Sequence, residues 1–269
     1  MVTTKATDTQ KPVGKIPGAG GTGSGSESHR RRLGVLLGFT EECHTQTVQE
    51  ISTRMDIPVS SAYRYVSQLR EVGLLEEAEF GGYRVSLRAV GLARAARAGS
   101  AGILEFTRPV LERLTREHSE TSLLIRRMGH AVVAVDMEET RSSVRLMFEQ
   151  GRLMPLHQGS AARVLLAAMK PKERSEYYAS MYSFTGSPDL PSEAELREID
   201  KQGWAESFGQ IEEGIWGFAA AIRVRRQVVA ALSMAGPIYR LDAARRERVM
   251  TAVKGAADDI NAHLARVEF

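Results

Sequence analysis

The stretch from Thr47 to Val85, TVQEISTRMDIPVSSAYRYVSQLREVGLLEEAEFGGYRV, constrains the chain more than any other part of it. Val48, Ile51 and Met55 recur at three- and four-residue spacing and so mark one face of a short helix. Asp56-Ile57-Pro58 interrupts that pattern, because proline cannot donate a helical hydrogen bond, yet it is tolerated in the first turn of a new helix. The second helix is expected to run to about Val72, with Ala62, Val66 and Leu69 on one face and Gly73 as its stop. Ser60, Ser61, Tyr63, Arg64, Ser67 and Gln68 occupy the opposite face, hydrogen-bonding side chains with almost no acid among them. Two short helices across a tight turn make a helix-turn-helix. Leu74 to Glu77, a Gly81-Gly82 turn and Tyr83-Arg84-Val85 follow as a small hairpin in the position of a wing. A helical hairpin with a solvated polar face is the plainer reading, and the wing directly after it shifts the balance to DNA binding.

Composition sets the outer limits. At 269 residues there is room for two domains, and 43% apolar with 26% charged residues is ordinary for a globular protein. No apolar run approaches the roughly 20 residues a bilayer requires, and the N-terminus lacks the apolar core of a secretion signal, so a cytoplasmic location is expected. A single cysteine, Cys43, leaves no intramolecular disulfide and no thiolate metal cluster. A net charge of +3 permits DNA binding without arguing for it; the placement of the arginines matters more.

Residues 1–28 are rich in Thr, Lys, Gly, Ser and Pro and are expected to form a disordered tail, or an arm touching DNA through Lys5, Lys11 and Lys15. Arg30-Arg31-Arg32 leads into a helix with Leu33, Leu36 and Leu37 on one face. The triple arginine reads either as a phosphate contact or as a solvated helix start. Gly34 and Gly38 suggest close packing against another backbone. From Ser86 to Ala98 a helix with Leu87, Val90 and Leu92 apolar is read as a linker, ending in a hinge at Gly99 to Gly102.

Beyond it, an amphipathic helix from Ile103 to Glu117 precedes β-like runs at Ser122–Arg127, Ala131–Met137 and Val144–Phe148. Gly159 to Ala167 looks helical, as does Glu173 to Tyr178, and Ser192 to Glu195 fits a capping box opening a helix to about Gln202. A hairpin, Gly217–Val224 with Gln227–Met234, and a helix from Asp242 to Leu264 close the chain. The order implies an α+β second domain around an antiparallel sheet.

The run His157-Gln158-Gly159-Ser160-Ala161-Ala162 puts small residues at a helix start, where unpaired N–H groups and a partial positive charge suit a carboxylate. The alternative is a helix start packed tightly against a strand. Leu146, Met147, Ser207, Trp216, Gly217 and Ser233 are further wall candidates, although a Met and Trp stripe is more often core. No two of the six histidines lie at metal-ligand spacing, and no motif for hydrolysis or a phosphate loop occurs. A triad of His157, Ser160 and Glu206 has no support in its spacing, and the chain is not expected to be an enzyme or to need a cofactor.

The segments IPVSSAYRYVSQLREVGLLE with GGYRV, MPLHQGSAARVLLA, GWAESFGQIEEGIWGFAAAI and VVAALSMAGP, in that order from Arg32 to Val267, resemble the IclR family of bacterial transcription regulators. The resemblance implies a winged helix-turn-helix over 29–86, a linker helix over 87–101, and a GAF-like effector-binding and oligomerisation domain over 102–269. It implies operator DNA, a small organic effector such as a carboxylic or aromatic acid, and a homodimer or dimer of dimers as partners. The implied DNA contacts are Arg30, Arg31, Arg32, Ser60, Ser61, Tyr63, Arg64, Ser67, Gln68 and, on the wing, Arg84 in place of an acidic tip of Glu76, Glu77 and Glu79. The implied pocket uses Leu146, Met147, Gly159, Ser160, Ala161, Ser207, Trp216, Gly217, Ser233 and Ala235. Ala162-Arg163 stands where the family commonly has Gly-Lys, Ser207 where its acid sensors often carry an acid, and Ala235 where it often has serine. Together these changes give a less polar cavity. A small-molecule sensor acting through protein partners, or a metabolic enzyme with an assembly domain, are the other classes such a chain could join.

Overall fold

The structure, a computed structural model, describes residues 24–98, 101–140, 150–185 and 189–266. The chain divides into two compact units, one over Ala19–Ala101 and another that holds Gly102–Phe269.

The first unit contains α1 (Ser24–Leu36), β1 (Thr45–Gln46), α2 (Val48–Met55), α3 (Val59–Glu71), β2 (Leu75–Glu77), β3 (Tyr83–Val85) and α4 (Arg88–Ala98). Thr47 and Glu50 form a reciprocal capping box at the start of α2, and Asp56 ends that helix in the left-handed conformation at φ 51°. The Ser52 hydroxyl ties the turn to the Ile57 carbonyl at 2.6 Å. Val48, Ile51, Ala62, Val66, Leu69 and Leu75 then share one core with Val35 of α1.

Several details differ from the sequence reading. Helix α1 begins at Ser24, inside the segment read as tail; residues 1–23 of that tail lie outside the described residues. Its buried residue is Val35, with Leu36 half-covered, while Leu33 and Leu37 are exposed. The cause is polar: Arg54 donates to the Val35 carbonyl at 3.4 Å and Ser28 meets the Tyr65 hydroxyl at 3.4 Å, which turns that side of α1 inward. Gly34 and Gly38 make room for side chains, not backbone, since a Cβ on either would strike Met55 or the Arg54 guanidinium. The wing also gains a third strand, in the order β1-β3-β2, anchored by Gln46, which is buried because it bonds the Gly38 carbonyl and accepts from Arg54. Leu87, just before α4, and Val90 and Leu92 on it are exposed.

The second unit opens with α5 (Ala101–His118), so Gly102 is helical and not part of a break; Gly99 and Ser100 lie outside the described residues. It continues through β4 (Thr121–Met128), β5 (Ala131–Glu138), β6 (Leu153–Pro155), α6 (Ser160–Ala167), α7 (Pro171–Thr185), α8 (Glu193–Gln202), β7 (Trp204–Phe208), β8 (Ile215–Val224), β9 (Gln227–Pro237) and α9 (Ala243–Leu264). The strand read at Val144–Phe148 lies outside the described residues, whereas β6 and β7 were not anticipated and α7 is longer than expected. All strand pairs are antiparallel, in the order β6-β5-β4-β9-β8-β7.

Both faces of this sheet are covered, which is why β8 and β9 read as continuous apolar runs. Leu123, Ile125, Ala219, Ala221 and Ala231 face a core built with Leu165 and Leu166 of α6, Tyr177 of α7 and Leu196 of α8. Leu124, Phe218, Leu232 and Met234 face the other way, onto Leu111 and Leu114 of α5 and Val249, Val253 and Ile260 of α9. Alternation along each strand therefore assigns every residue to one layer or the other.

Candidate functional site

On α3, Ser60, Tyr63, Arg64 and Ser67 are exposed. Their spacing of three, four and seven residues sets them on one stripe of the helix. The Arg64 guanidinium lies 5.5 Å from the centre of the Tyr65 ring, and that ring is fixed in the core. Ser61 is half-buried. Gln68 is half-buried too, and its Oε1 is buried without a hydrogen-bond partner, as is Nε of Arg32, so these two side chains turn inward from the stripe. Arg30 and Arg31 are exposed on α1.

The wing's charges are paired within the wing and its neighbour. Arg84 Nε meets Glu76 at 2.7 Å, and Arg70 of α3 meets Glu77 at 2.7 Å. Glu76 and Glu77 thus sit on β2 and not at the tip; the tip is a single turn, Glu79–Gly81, with Phe80 fully exposed. Two exposed ion pairs of this kind stabilise little, and they leave Arg84 partly neutralised.

In the second unit, one cavity brings together eight of the ten residues anticipated from sequence: Gly159, Ser160, Ala161, Ser207, Trp216, Gly217, Ser233 and Ala235. Leu146 and Met147 lie outside the described residues. The cavity, counting its open mouth, holds about 450 Å³ of empty space. Leu123, Ile125, Val132, Met154 and Ile215 supply its apolar wall, and Gln158 and Gln210 join the serines as its polar groups. Among the described residues, no charged side chain lines it.

Strand register explains the arrangement. Ser207, Gly217, Ala235 and Thr121 are successive partners across β7, β8, β9 and β4, and Ala205, Ala219, Ser233 and Leu123 form the next rank on the same face. Helix α6 rises over these ranks. Glycine at 217 eases this approach: a Cβ there would lie 3.1 Å from both the Ser160 and Ser207 hydroxyls, so each would have to give way by a few tenths of an ångström. Gly159 precedes α6 at φ 87° and, being glycine, caps the helix with no side chain of its own. The Ser233 hydroxyl donates to the Phe218 carbonyl at 3.0 Å. Ser160 is a buried residue whose hydroxyl lies at the cavity wall, and no hydrogen bond to it occurs among the described residues.

Trp216 is a correction. It borders the cavity, but its indole belongs to the opposite layer with Leu124 and Phe218, because it is one residue out of phase with Gly217. There its Nε1 donates to Glu206 at 2.6 Å, and Arg246 grips the same carboxylate from α9 through Nε at 2.6 Å and through its terminal nitrogen. Burial alone would raise the Glu206 carboxyl; the hydrogen bonds from Arg246 and Trp216 outweigh it and hold the group below the usual carboxylate range. A carboxyl lowered in the folded state contributes stability above its unfolded value and loses it as pH falls through the folded one. Glu206→Gln is expected to lower thermal stability at neutral pH, with the gap to the parent protein closing below about pH 4.

The same geometry dismantles the imagined triad. Glu206 is on the far layer, and His157 is engaged elsewhere: its Nδ1 is 2.6 Å from the Tyr177 hydroxyl, which also accepts the Leu156 N–H at 3.0 Å. Burial, then the Arg163 guanidinium, pushes His157 below the usual histidine range, and burial lifts the Tyr177 phenol to about 12. This pair holds the strand-to-helix turn before α6. Among the described residues, no group of three metal-ligating side chains gathers, and no helix is long and apolar enough to cross a membrane.

A winged helix-turn-helix in the same chain as an α+β unit with an internal cavity defines a class, the DNA-binding transcription regulators. The IclR helix-turn-helix domain matches residues 30–79, and the C-terminal domain of bacterial transcriptional regulator IclR matches residues 95–262. The chain belongs to the IclR family. It is 31% identical over 222 residues to the transcriptional regulator KipR of Bacillus subtilis, covering 80% of this chain and 88% of that one. It is 26% identical over 267 residues to BhcR of Paracoccus denitrificans, covering 95% and 94%. Among solved structures, an IclR homologue from Microbacterium hydrocarbonoxydans in complex with 4-hydroxybenzoate superposes with a TM-score of 0.72 at 24% identity, covering 89% of this chain and all of that one (100%). The IclR of Thermotoga maritima gives 0.66 at 21% identity, covering 89% and 99%.

Proposed function

We propose that this regulator is a cytoplasmic, ligand-responsive protein that binds operator DNA as a homodimer or dimer of dimers and controls genes of small-molecule metabolism. The observation that carries the reading is the cavity: a mostly apolar chamber, uncharged among the described residues, with the glycine-led N-terminus of α6 and the Ser160 hydroxyl at its wall. Backbone N–H groups there, with the helix dipole behind them, suit a single carboxylate, and the apolar wall suits the body of an aliphatic or aromatic acid. The 4-hydroxybenzoate held by the Microbacterium homologue is a ligand of that chemistry.

On the DNA side, Ser60, Tyr63, Arg64 and Ser67 are the base-reading set, with Ser61, Arg30 and Arg31 toward the backbone. Arg84 joins them once phosphate competes with Glu76. Two-fold symmetry would set two copies of α3 in successive major grooves, about 34 Å apart. A ligand must favour one arrangement of the DNA-binding units over another to act at all, and α4 is the element whose sequence position suits that coupling.

Gel-shift titration against the DNA upstream of the protein's own gene, with and without small carboxylic acids, tests the whole reading. A sequence-specific shift that an acid weakens or strengthens is the expected result. Binding that is the same for every sequence at physiological salt, or failure to bind any DNA at low salt, would overturn it.

A further inference from the structure

The loop between β7 and β8 closes on the cavity from the strand side. Its glycines at either end, Gly209 at φ 65° and Gly214 at φ 79°, occupy the left-handed region, and the Gly209 N–H bonds the Ile215 carbonyl at 2.7 Å. Between them, Gln210 and Ile211 reach across to the start of α6 and line the cavity mouth. Gln210 Oε1 accepts the Gly159 N–H at 3.1 Å. Ile211 lies over Gly159 so closely that a Cβ there would come within 2.6 Å of its Cδ1, yet about half of the Ile211 side chain stays exposed.

We propose that Gln210 is a latch and a selectivity device: its side-chain oxygen occupies the helix-start amide that a ligand's carboxylate would take, so only an anion displaces it. This rests on the acid-binding reading of the cavity given above. A neutral carbonyl entering the site exchanges one neutral hydrogen bond for another and gains nothing. A carboxylate forms a charge-assisted bond of about twice the strength and meets the helix dipole as well. The Ser160 hydroxyl, at the cavity wall beside the same helix start and without a hydrogen bond among the described residues, supplies a second donor that Gln210 does not satisfy. Displacement frees the loop, whose glycine ends absorb the change, and releases Ile211 to settle over the bound ligand.

The test uses full-length protein, the variants Gln210→Ala and Gln210→Glu, and the isosteric pair benzoate and benzamide. In the ligand-free protein, amide hydrogen exchange at Gly159 is expected to rise on the order of tenfold in Gln210→Ala, with the melting temperature held. By calorimetry the parent should bind benzoate over benzamide. Gln210→Ala should lose most of that preference by gaining benzamide, and Gln210→Glu should bind neither well because its own carboxylate fills the site. Unchanged exchange at Gly159 overturns the latch whatever the ligand proves to be. Faster exchange with an unchanged preference, or with benzoate lost from Gln210→Ala, overturns the selectivity role. Faster exchange with no benzoate binding to any form keeps the latch and removes the acid-ligand reading beneath it.

Discussion

Replacing Arg64 by alanine will weaken operator binding by about 1–3 kcal/mol, roughly five- to 150-fold, and relax specificity at one base pair. Arg64 sits on the outward stripe of α3, between Tyr63 and Ser67, and the wing's Glu76 and Glu77 are taken by Arg84 and Arg70. The ring of Tyr65 beneath its guanidinium narrows the side chain's choices before DNA arrives. A guanidinium so placed presents two parallel donors to the O6 and N7 acceptors of guanine, a contact lysine cannot reproduce. Fluorescence anisotropy across a set of single-base operator variants separates the outcomes. A flat loss over all sequences, with a shallower dependence on salt, would demote Arg64 to a phosphate contact.

Ala161→Phe is expected to abolish the response to effector while leaving DNA binding intact. Ala161 is the second residue of α6, is 4% exposed and borders the cavity. A phenyl ring at that position fills the space in front of the helix-start amides. Overpacking of this kind costs about 1–3 kcal/mol, so a melting curve must first show that the variant is folded. In the folded variant, thermal shift by small acids should vanish and operator affinity should become the same with and without them. An intact response would move the effector site away from α6.

The DNA-binding unit was legible because its signals are local. The interruption at Asp56-Ile57-Pro58, the stop at Gly73 and the Gly81-Gly82 turn each fix a boundary by backbone chemistry, and TVQE also carried a capping box that spacing alone could have named. What escaped depended on partners distant in sequence. Leu33 and Leu37 look like the inner face of α1 until Arg54 and Tyr65 are known to pull the other side inward. β6 is three residues ending in proline, too short for any alternation to show. β7 was within reach: in WAESF, Ala205 and Ser207 alternate with Trp204 and Glu206, and its pairing with β8 would have put Glu206 on the far layer. The same parity rule, applied to Gly217, puts the Trp216 indole in the other layer although the residue borders the cavity. Gln210 carried no signal at all, because its role comes from a loop that meets α6 only in three dimensions.

The two tryptophans of the chain, Trp204 and Trp216, lie on adjacent strands and on the layer away from the cavity. Residue 216 borders the chamber while both indoles pack in that other layer. A guest that bends the sheet is therefore passed to them along the peptide plane joining residue 216 to residue 217, or along the β7 main chain beside Ser207, and the protein carries an unlabelled optical gauge of sheet distortion.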